Sequence, residues 1–443
     1  MSAPAPVRIL VVGGGYVGLN TCLRLLRRAR PGELHLTLVD PRGYMTYHPF
    51  LPEAAAGSID ARNVVVSLRR TLSHAGAGAE VVAGDVVAVR HADRVARVRA
   101  ADGAERDLHY DVLVVAPGSV SRTLPIPGLA EQAIGFKTVE EAVHLRNRVL
   151  SNLDLAESSA DPDVRRRALT FVFVGGGYAG VEAIAEIEDM ARYAMRFHRG
   201  LRPADLRFVL VEATDRILPE VGDRLGRYAA DVLRSRGIDV ALSTTMTSCL
   251  DGRVVLSDGR ELEAGTIVWT AGVKAHPLLE ATDLPVDEQR RLRVGADLRV
   301  PGVQAAWGAG DSCAVPDLTR PGTFCAPNAQ HAVRQARVLA DNLLAQLRGR
   351  ATRDYRHADA GSVASLGLHK GVAQIHGLRV RGYPAWLVHR LYHLSKVPTP
   401  GRKAGVLLGW VQAALFHREA VALGALSHPF AEFERAARSS PRG

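Results

Sequence analysis

The chain has 443 residues, enough for two or three domains, and 47% hydrophobic with 23% charged residues is the composition of a folded protein. Its net charge is +10, carried mainly by Arg, but no basic run is interleaved with aromatics, so nucleic acid is not an expected partner. Four cysteines (Cys22, Cys249, Cys313, Cys325) form no CxxC pair and no zinc-like spacing; a disulfide framework and a metal site are therefore not expected, and a reducing compartment fits.

The N-terminus runs straight into a β-branched apolar stretch at 7–12, without the charged and apolar regions of a signal peptide. That stretch reads as a buried parallel strand. The turn GGGYVG at 13–18 follows, then a helix to about Arg30, a stop at Pro31-Gly32, and a second strand at 34–39 ending on Asp40. The order recurs: a strand at 169–174, GGGYAG at 175–180, a helix to about Arg196, and a strand at 206–211 ending before Glu212. Two such βαβ units predict an α/β protein with parallel sheets and two Rossmann-type dinucleotide-binding domains.

Short strands are expected within 79–89, and terminating strands at 111–118 and 266–272. The polar stretch 152–167 is expected to lead into the second domain. From about Asp354 the chain becomes rich in Leu, His and aromatics, with a polar break at 397–403. No run of about 18 apolar residues occurs, so no spanning helix is expected.

In a GxGxxG turn the first glycine makes the bend, the second lets backbone approach a pyrophosphate, and the third lets helix pack on strand. The phosphates then meet the free N–H groups of the helix. Gly13, Gly15 and Gly18 hold these positions in the first unit, and Gly175, Gly177 and Gly180 in the second. Asp40 and Glu212 are placed to accept hydrogen bonds from a ribose 2′-hydroxyl; Glu212 would repel a 2′-phosphate, favouring NADH over NADPH, although its interval exceeds the usual ~20 residues. Two dinucleotide sites imply a tightly held FAD on the first unit and exchangeable NADH on the second. WGAGD at 307–311 resembles the second flavin motif of such two-site flavoproteins, and that resemblance implies that Asp311 reaches the ribityl chain of FAD.

These motifs, in this order over essentially the whole length, resemble the type II NADH:quinone oxidoreductases, the single-subunit alternative NADH dehydrogenases of the pyridine nucleotide-disulfide reductase type. PFLPEAAAG at 49–57, VWTAGV at 268–273 and AQHAVRQ at 329–335 carry the likeness further. Arg334 departs from the family's middle glutamine, Pro52 stands where an aromatic is common, and Ala116-Pro117-Gly118 departs from a small middle residue.

The resemblance implies a glutathione reductase-like fold with non-covalent FAD, NADH as donor and a membrane quinone as acceptor. It also implies a respiratory electron-transport role without proton pumping, and peripheral attachment to the cytoplasmic side of the cell membrane. A homodimer is common in such proteins. Glu182 and Gln330 are the implied catalytic residues; Glu182 reads equally as a first-turn acid favoured by the helix dipole. Arg42, Val82, Ala116, Gly118 and Gly272 join the cofactor-binding set. Gln330, His331, Gln335 and Lys370 are the implied quinone residues. The implied domains are 1–165 and 295–355 for FAD, 166–294 for NADH and 356–443 for membrane association. In that last region, 383–394 and 406–415 read equally by composition as helices lying in a bilayer interface or as a core or dimer-packing pair, and the resemblance favours the membrane. Trp386 and Trp410 are expected at the boundary, and Arg390, Lys396, Arg402, Lys403 and Arg418 toward headgroups.

Three other functions compete. A sulfide:quinone oxidoreductase needs a reactive cysteine between Cys22 and the second glycine turn, and none lies there. The apolar C-terminal helices argue against a soluble NADH-dependent flavoprotein reductase. Gly310-Asp311 and Glu182 argue against a binding module without catalysis.

Overall fold

The strands at the centre of this chain are apolar along both faces because they lie in parallel sheets buried on both sides. The computed structural model describes residues 5–76, 78–357, 361–375, 377–423 and 430–439. The chain divides into two compact units.

The first unit comprises Met1–Thr46, Val65–Val120 and Val273–Asp359. Its five-stranded sheet runs Ala306–Gly308, Val112–Val115, Val7–Val12, Leu34–Asp40, Ala79–Ala83, every pairing parallel. The helices Tyr16–Arg28 and Ala329–Leu347 pack together, and Arg24 pairs with Asp341 at 2.7 Å. The stretch expected to hold short strands holds two: Ala79–Ala83 in the sheet, and Asp85–Arg90 opening a three-stranded antiparallel layer with Val95–Arg99 and Glu105–His109.

The second unit comprises Tyr47–Val64, Ser121–Gly272 and Ala360–Gly443. It repeats the plan: a parallel sheet ordered Ala133–Gly135, Thr266–Trp269, Thr170–Val174, Arg207–Val211, Ile238–Ala241, and an antiparallel layer of Met246–Ser248, Arg253–Leu256 and Glu261–Glu263. Helix Tyr178–Ala194 follows the central strand. The α/β class and both βαβ units stand as expected.

The boundaries fall elsewhere than the sequence placed them. Residues 121–165 go with the second unit because Ala133–Gly135 pairs with Thr266–Trp269. Residues 273–294 go with the first, where Asp283 accepts hydrogen bonds from the backbone N–H of His91 and Ala92. The polar stretch 152–167 is mostly helical. It ends the helix Val139–Ser158, which starts in a Thr138–Glu141 capping box, and contributes to Pro162–Ala168, capped by Asp161.

The C-terminal segment of the second unit forms three antiparallel strands and then the helices Gly382–Lys396 and Pro400–Phe416. No helix of the described residues is long and apolar enough to cross a membrane. Leu387, Leu391, Leu407, Leu408, Val411, Leu415 and Phe416 are exposed. Arg390 and Trp386, however, turn inward, and so does the indole N–H of Trp410. The reason is Glu53, only 2% exposed on the short helix Leu51–Ala55. Arg390 grips it with two nitrogens at 3.2 and 3.0 Å, lies over both indole rings, and Trp410 donates to it at 2.6 Å. A buried carboxylate without such partners would cost several kcal/mol. Arg418 likewise lies 3.0 Å from buried Glu186. Lys396 stays exposed, while Arg402 and Lys403 are half-buried.

At the end of helix Ala329–Leu347, Arg348 clasps Glu33 through Nε and Nη2, each at 2.7 Å. The hydrogen bond with Arg348 is the chief cause holding the Glu33 carboxyl down at about 2. A depressed folded value means stabilisation that is complete above the unfolded value of about 4.3 and lost as pH falls toward the folded one. Glu33→Gln should therefore lower stability by about 1 kcal/mol at neutral pH in urea unfolding, with the gap from wild type closing below about pH 4. A gap that stays constant down to that range would remove this ion pair from the account.

Candidate functional site

In the first unit the strand Val7–Val12 ends in a bend at Gly13, whose φ of +98° favours glycine. A Cβ on Gly18 would lie 1.8 Å from the carbonyl oxygen of Gly13, so only glycine lets the helix approach this closely. Around Gly15, by contrast, nothing lies within 4 Å of where a Cβ would be. The helix Tyr16–Arg28 starts there with no side-chain cap and no acid in its first turn. Its free N–H groups and dipole therefore face open space beside bare backbone, which suits a pyrophosphate. Asp40 sits at the end of the next strand, accepting from Gly14 N at 2.7 Å and Arg42 N at 2.8 Å. Burial pushes its carboxyl above the usual carboxylate range, against those two bonds.

The second unit reproduces this geometry. Gly175 has φ +117°, a Cβ on Gly180 would lie 1.9 Å from Gly175 O, and Gly177 has nothing within 4 Å. The helix Tyr178–Ala194 again lacks a side-chain cap and a first-turn acid. Glu212 accepts from Gly176 N at 2.5 Å and from both N and Oγ1 of Thr214 at 2.8 Å. The interval between glycine and acid is 36 residues against 26 in the first unit. The excess lies in a longer helix and the 3-10 turns Met195–Phe197 and Pro203–Asp205. Both turns present what a dinucleotide needs.

Several expected site residues gather in the first unit. Ala116 and Gly118 follow the strand Val112–Val115, and the carbonyl of Ala116 closes against Gly13. Val82 pairs with Val39 in the sheet, and Arg42 is exposed just beyond Asp40. Asp311 accepts a hydrogen bond from Ser119 Oγ at 2.8 Å, a partner the sequence reading did not name. Gln335, 1% exposed, uses its side-chain oxygen to accept from Gly310 N at 2.8 Å. Its carbonyl thus fixes the turn that carries Asp311. His331 is buried with Nδ1 2.8 Å from Tyr355 Oη. Gln330 is half-buried, and Arg334 donates to its carbonyl at 3.2 Å and to its side-chain oxygen at 3.4 Å, which links the departing residue to the retained one.

Gly272 and Lys370 belong to the second unit; Lys370 is exposed on the turn between the strands Gly361–Ser365 and Gly371–Ile375. Glu182 lies there too, in the second turn of its helix rather than the first, which is Tyr178–Val181. It is buried and accepts from Ser365 N at 2.8 Å. His389 Nε2 stands 3.0 Å from its Oε1, at an angle outside hydrogen-bond geometry. His389 was missed in the sequence. Its signal is the pair His389 and His393, four apart and so on one face of the helix Gly382–Lys396.

The four cysteines are free; Cys22, Cys249 and Cys313 are buried. Burial pushes Cys22 and Cys313 up to about 12 and Cys325 up to about 11, and raises Cys249 as well. None is a ready thiolate.

Comparison with known proteins agrees with this geometry. Residues 6–336 match the family model described as pyridine nucleotide-disulphide oxidoreductase. The type II NADH:quinone oxidoreductase of Mycobacterium tuberculosis is 29% identical, over 94% of this chain and 89% of that protein. The enzyme of that name from Staphylococcus epidermidis is 30% identical, over 85% of this chain and 92% of that protein. In fold, the chain is similar to the structure of NDH2 from Plasmodium falciparum in complex with NADH, with a TM-score of 0.87, 17% identity, and coverage of 94% and 99%. The chain belongs to the pyridine nucleotide-disulphide oxidoreductase family and, within it, to the type II NADH:quinone oxidoreductases.

Proposed function

We propose that this protein is an NADH:quinone oxidoreductase that holds FAD on its first glycine turn and NADH on its second, and that it works without pumping protons. The observation that carries the reading is the pair of uncapped helix N-termini, each beside a glycine open to ligand and each followed by an acid at the next strand end. When bound, FAD supplies a ring that accepts a hydride and releases electrons one or two at a time.

The chain's own residues supply binding and orientation. The N–H groups after Gly15 and Gly177 hold pyrophosphates, while Asp40 and Glu212 accept from ribose hydroxyls. Asp311, held by Ser119, serves the ribityl chain; Arg42, Val82, Ala116, Gly118 and Gly272 complete the cofactor walls. Glu182 and Gln330 serve the reacting groups, and Gln330, His331 and Lys370 serve the quinone. Gln335 acts by fixing the Gly310-Asp311 turn. The first compact unit is then the FAD-binding domain. The second is the NADH-binding domain together with the C-terminal region.

The exposed side chains of Leu387, Leu391, Leu407, Leu408, Val411, Leu415 and Phe416 support attachment to a membrane surface; the cytoplasmic side is part of the proposal and rests on the family resemblance alone. Lys396, Arg402 and Lys403 would add roughly 1 kcal/mol each against anionic headgroups. A homodimer would cover some of the same side chains. The raised cysteines weigh against sulfide chemistry.

Three measurements test the reading. Gly15→Ala and Gly177→Ala should both fold, since each methyl enters open space, but the first should lose FAD and the second should keep FAD while weakening NADH binding. Retained binding of both cofactors in both variants would overturn the turn assignments. Glu212→Gln should relax discrimination against NADPH on the order of a hundredfold in kcat/KM, equivalent to about 3 kcal/mol; an unchanged NADH/NADPH ratio sinks the ribose assignment. For the membrane, Leu408→Glu with Phe416→Glu should remove roughly 2 kcal/mol each of burial, weakening co-sedimentation with anionic vesicles on the order of a thousandfold. Oxidation of NADH with a water-soluble quinone should persist. Full vesicle binding with a change from dimer to monomer would assign these side chains to a second copy of the chain instead.

A further inference from the structure

Reduction of a quinone to a quinol by one NADH takes up one proton besides the hydride: NADH + H⁺ + quinone gives NAD⁺ + quinol. That proton has to come from solvent, and Glu182 is buried. Its partners in the second unit describe a way in.

His389 is 1% exposed and stands 3.0 Å from Glu182 through Nε2. Among the described residues its Nδ1 has no hydrogen-bond partner. The ring of His393, one helical turn on, meets the ring of His389 edge to face with centroids 4.6 Å apart. His393 is half-buried, so it bridges buried His389 and the protein surface. Tyr47 holds it: the hydroxyl donates to the carbonyl of His393 at 2.9 Å and lies 3.5 Å from Nδ1.

We propose that His389 and His393 form a two-histidine relay that reloads Glu182 with the solvent proton consumed in each turnover. The proposal rests on the reading of Glu182 as a group at the reacting atoms. His389 acts through Glu182 and is a positioning and proton-holding residue, not a catalytic one. In each turnover His389, beside the Glu182 carboxylate, gives its Nε2 proton to Glu182, which passes it to the quinol oxygen, and a proton from solvent enters through His393 to refill His389. His389 ends protonated, His393 neutral and Glu182 as the carboxylate, as each began, so one solvent proton goes to the quinol and protons balance.

The surrounding charges suit the two rings to different tasks. Glu182 and Glu186 face this region from the helix Tyr178–Ala194, Glu53 from the helix Leu51–Ala55, Arg390 from His389's own helix, and Arg418 from the chain beyond the second C-terminal helix. Burial opposes charge on His389, but Glu182 and Glu53 outweigh it and raise its value above that of ordinary histidine. Burial, with the neighbouring His389 charge, lowers His393 well below it. His389 therefore holds a proton more readily than an ordinary histidine, whereas His393 carries one only in passing. The proton-loaded form of His389 is full below its raised value and lost as pH rises through it.

The test separates the half-reactions by stopped flow, using holoenzyme bleached by NADH and then mixed with ubiquinone-1, between about pH 5.5 and pH 9, where a histidine titrates. Wild-type reoxidation should slow as pH rises above the ordinary histidine value. His389→Gln and His393→Ala should each slow it about tenfold or more and flatten that pH dependence, with bleaching by NADH unchanged. Added imidazole should restore the His393→Ala rate, because the residue is only half-buried and its truncation leaves room for a free ring beside His389. FAD content and normal bleaching certify the fold of each variant. If Glu182→Gln leaves reoxidation at the wild-type rate, the assignment of Glu182 itself fails. If Glu182→Gln slows reoxidation but the histidine variants keep the wild-type rate and pH profile, the relay fails alone. Slowing with an unchanged pH profile and no rescue by imidazole makes the histidines packing residues, and that also overturns the relay.

Discussion

Everything in the two nucleotide turns depends on how closely a helix can approach the strand before it. With Gly13 O where the Cβ of any larger residue at position 18 would stand, the helix Tyr16–Arg28 lies against the sheet and its first N–H groups emerge beside the strand ends. One methyl at Gly18 would push the helix away and leave the open space at Gly15 without donors. The second unit obeys the same constraint at Gly175 and Gly180. The acids then add a second layer of control. Asp40 and Glu212 each bond the middle glycine of their own turn, so the group that would read a ribose also braces the loop that would read the phosphates.

A second constraint is the concentration of buried acid on one helix. Glu182, Glu186 and Glu188 are all buried on Tyr178–Ala194, with Asp189 beside them. Each has a partner distant in sequence: Ser365 and His389 for Glu182, Ser365 and Arg418 for Glu186, Arg236 for Glu188, and the N–H of Leu368 for Asp189. Arg192 also pairs with Glu188 and Arg236 with Asp189, and an acid stripped of all its partners would be a stranded charge at a cost of about 3–5 kcal/mol. The C-terminal segment therefore completes the charge balance of the helix that opens the second turn.

Local chemistry was legible in the sequence and long-range pairing was not. Glycine spacing, β-branched runs and strand-end acids are set by short-range sterics, so the two turns could be read residue by residue. The inward rotation of Arg390 and Trp410 could not, because its cause is Glu53, more than three hundred residues away and unremarkable in its own PFLPEAAAG run. For the same reason Gln335 read as a candidate ligand residue. Nothing near it in sequence reveals that Gly310 N takes its carbonyl. The pair at His389 and His393 had a visible spacing, but its meaning came only with Glu182 beside it.

The interleaving of the units also bears on how the chain is made. The strand Val112–Val115 pairs on one side with Val7–Val12, already synthesised, and on the other with Ala306–Gly308. Ser119 likewise meets Asp311 only 192 residues later. At ribosomal rates of about 5–20 residues per second, that edge waits roughly 10–40 seconds for its partner. During that interval a fully apolar strand has unpaired backbone groups along one side, a template for the wrong neighbour. Neither unit can close until the chain has passed well beyond residue 300, so the nascent protein depends on protection of its sheet edge in a way that a chain with contiguous domains would not.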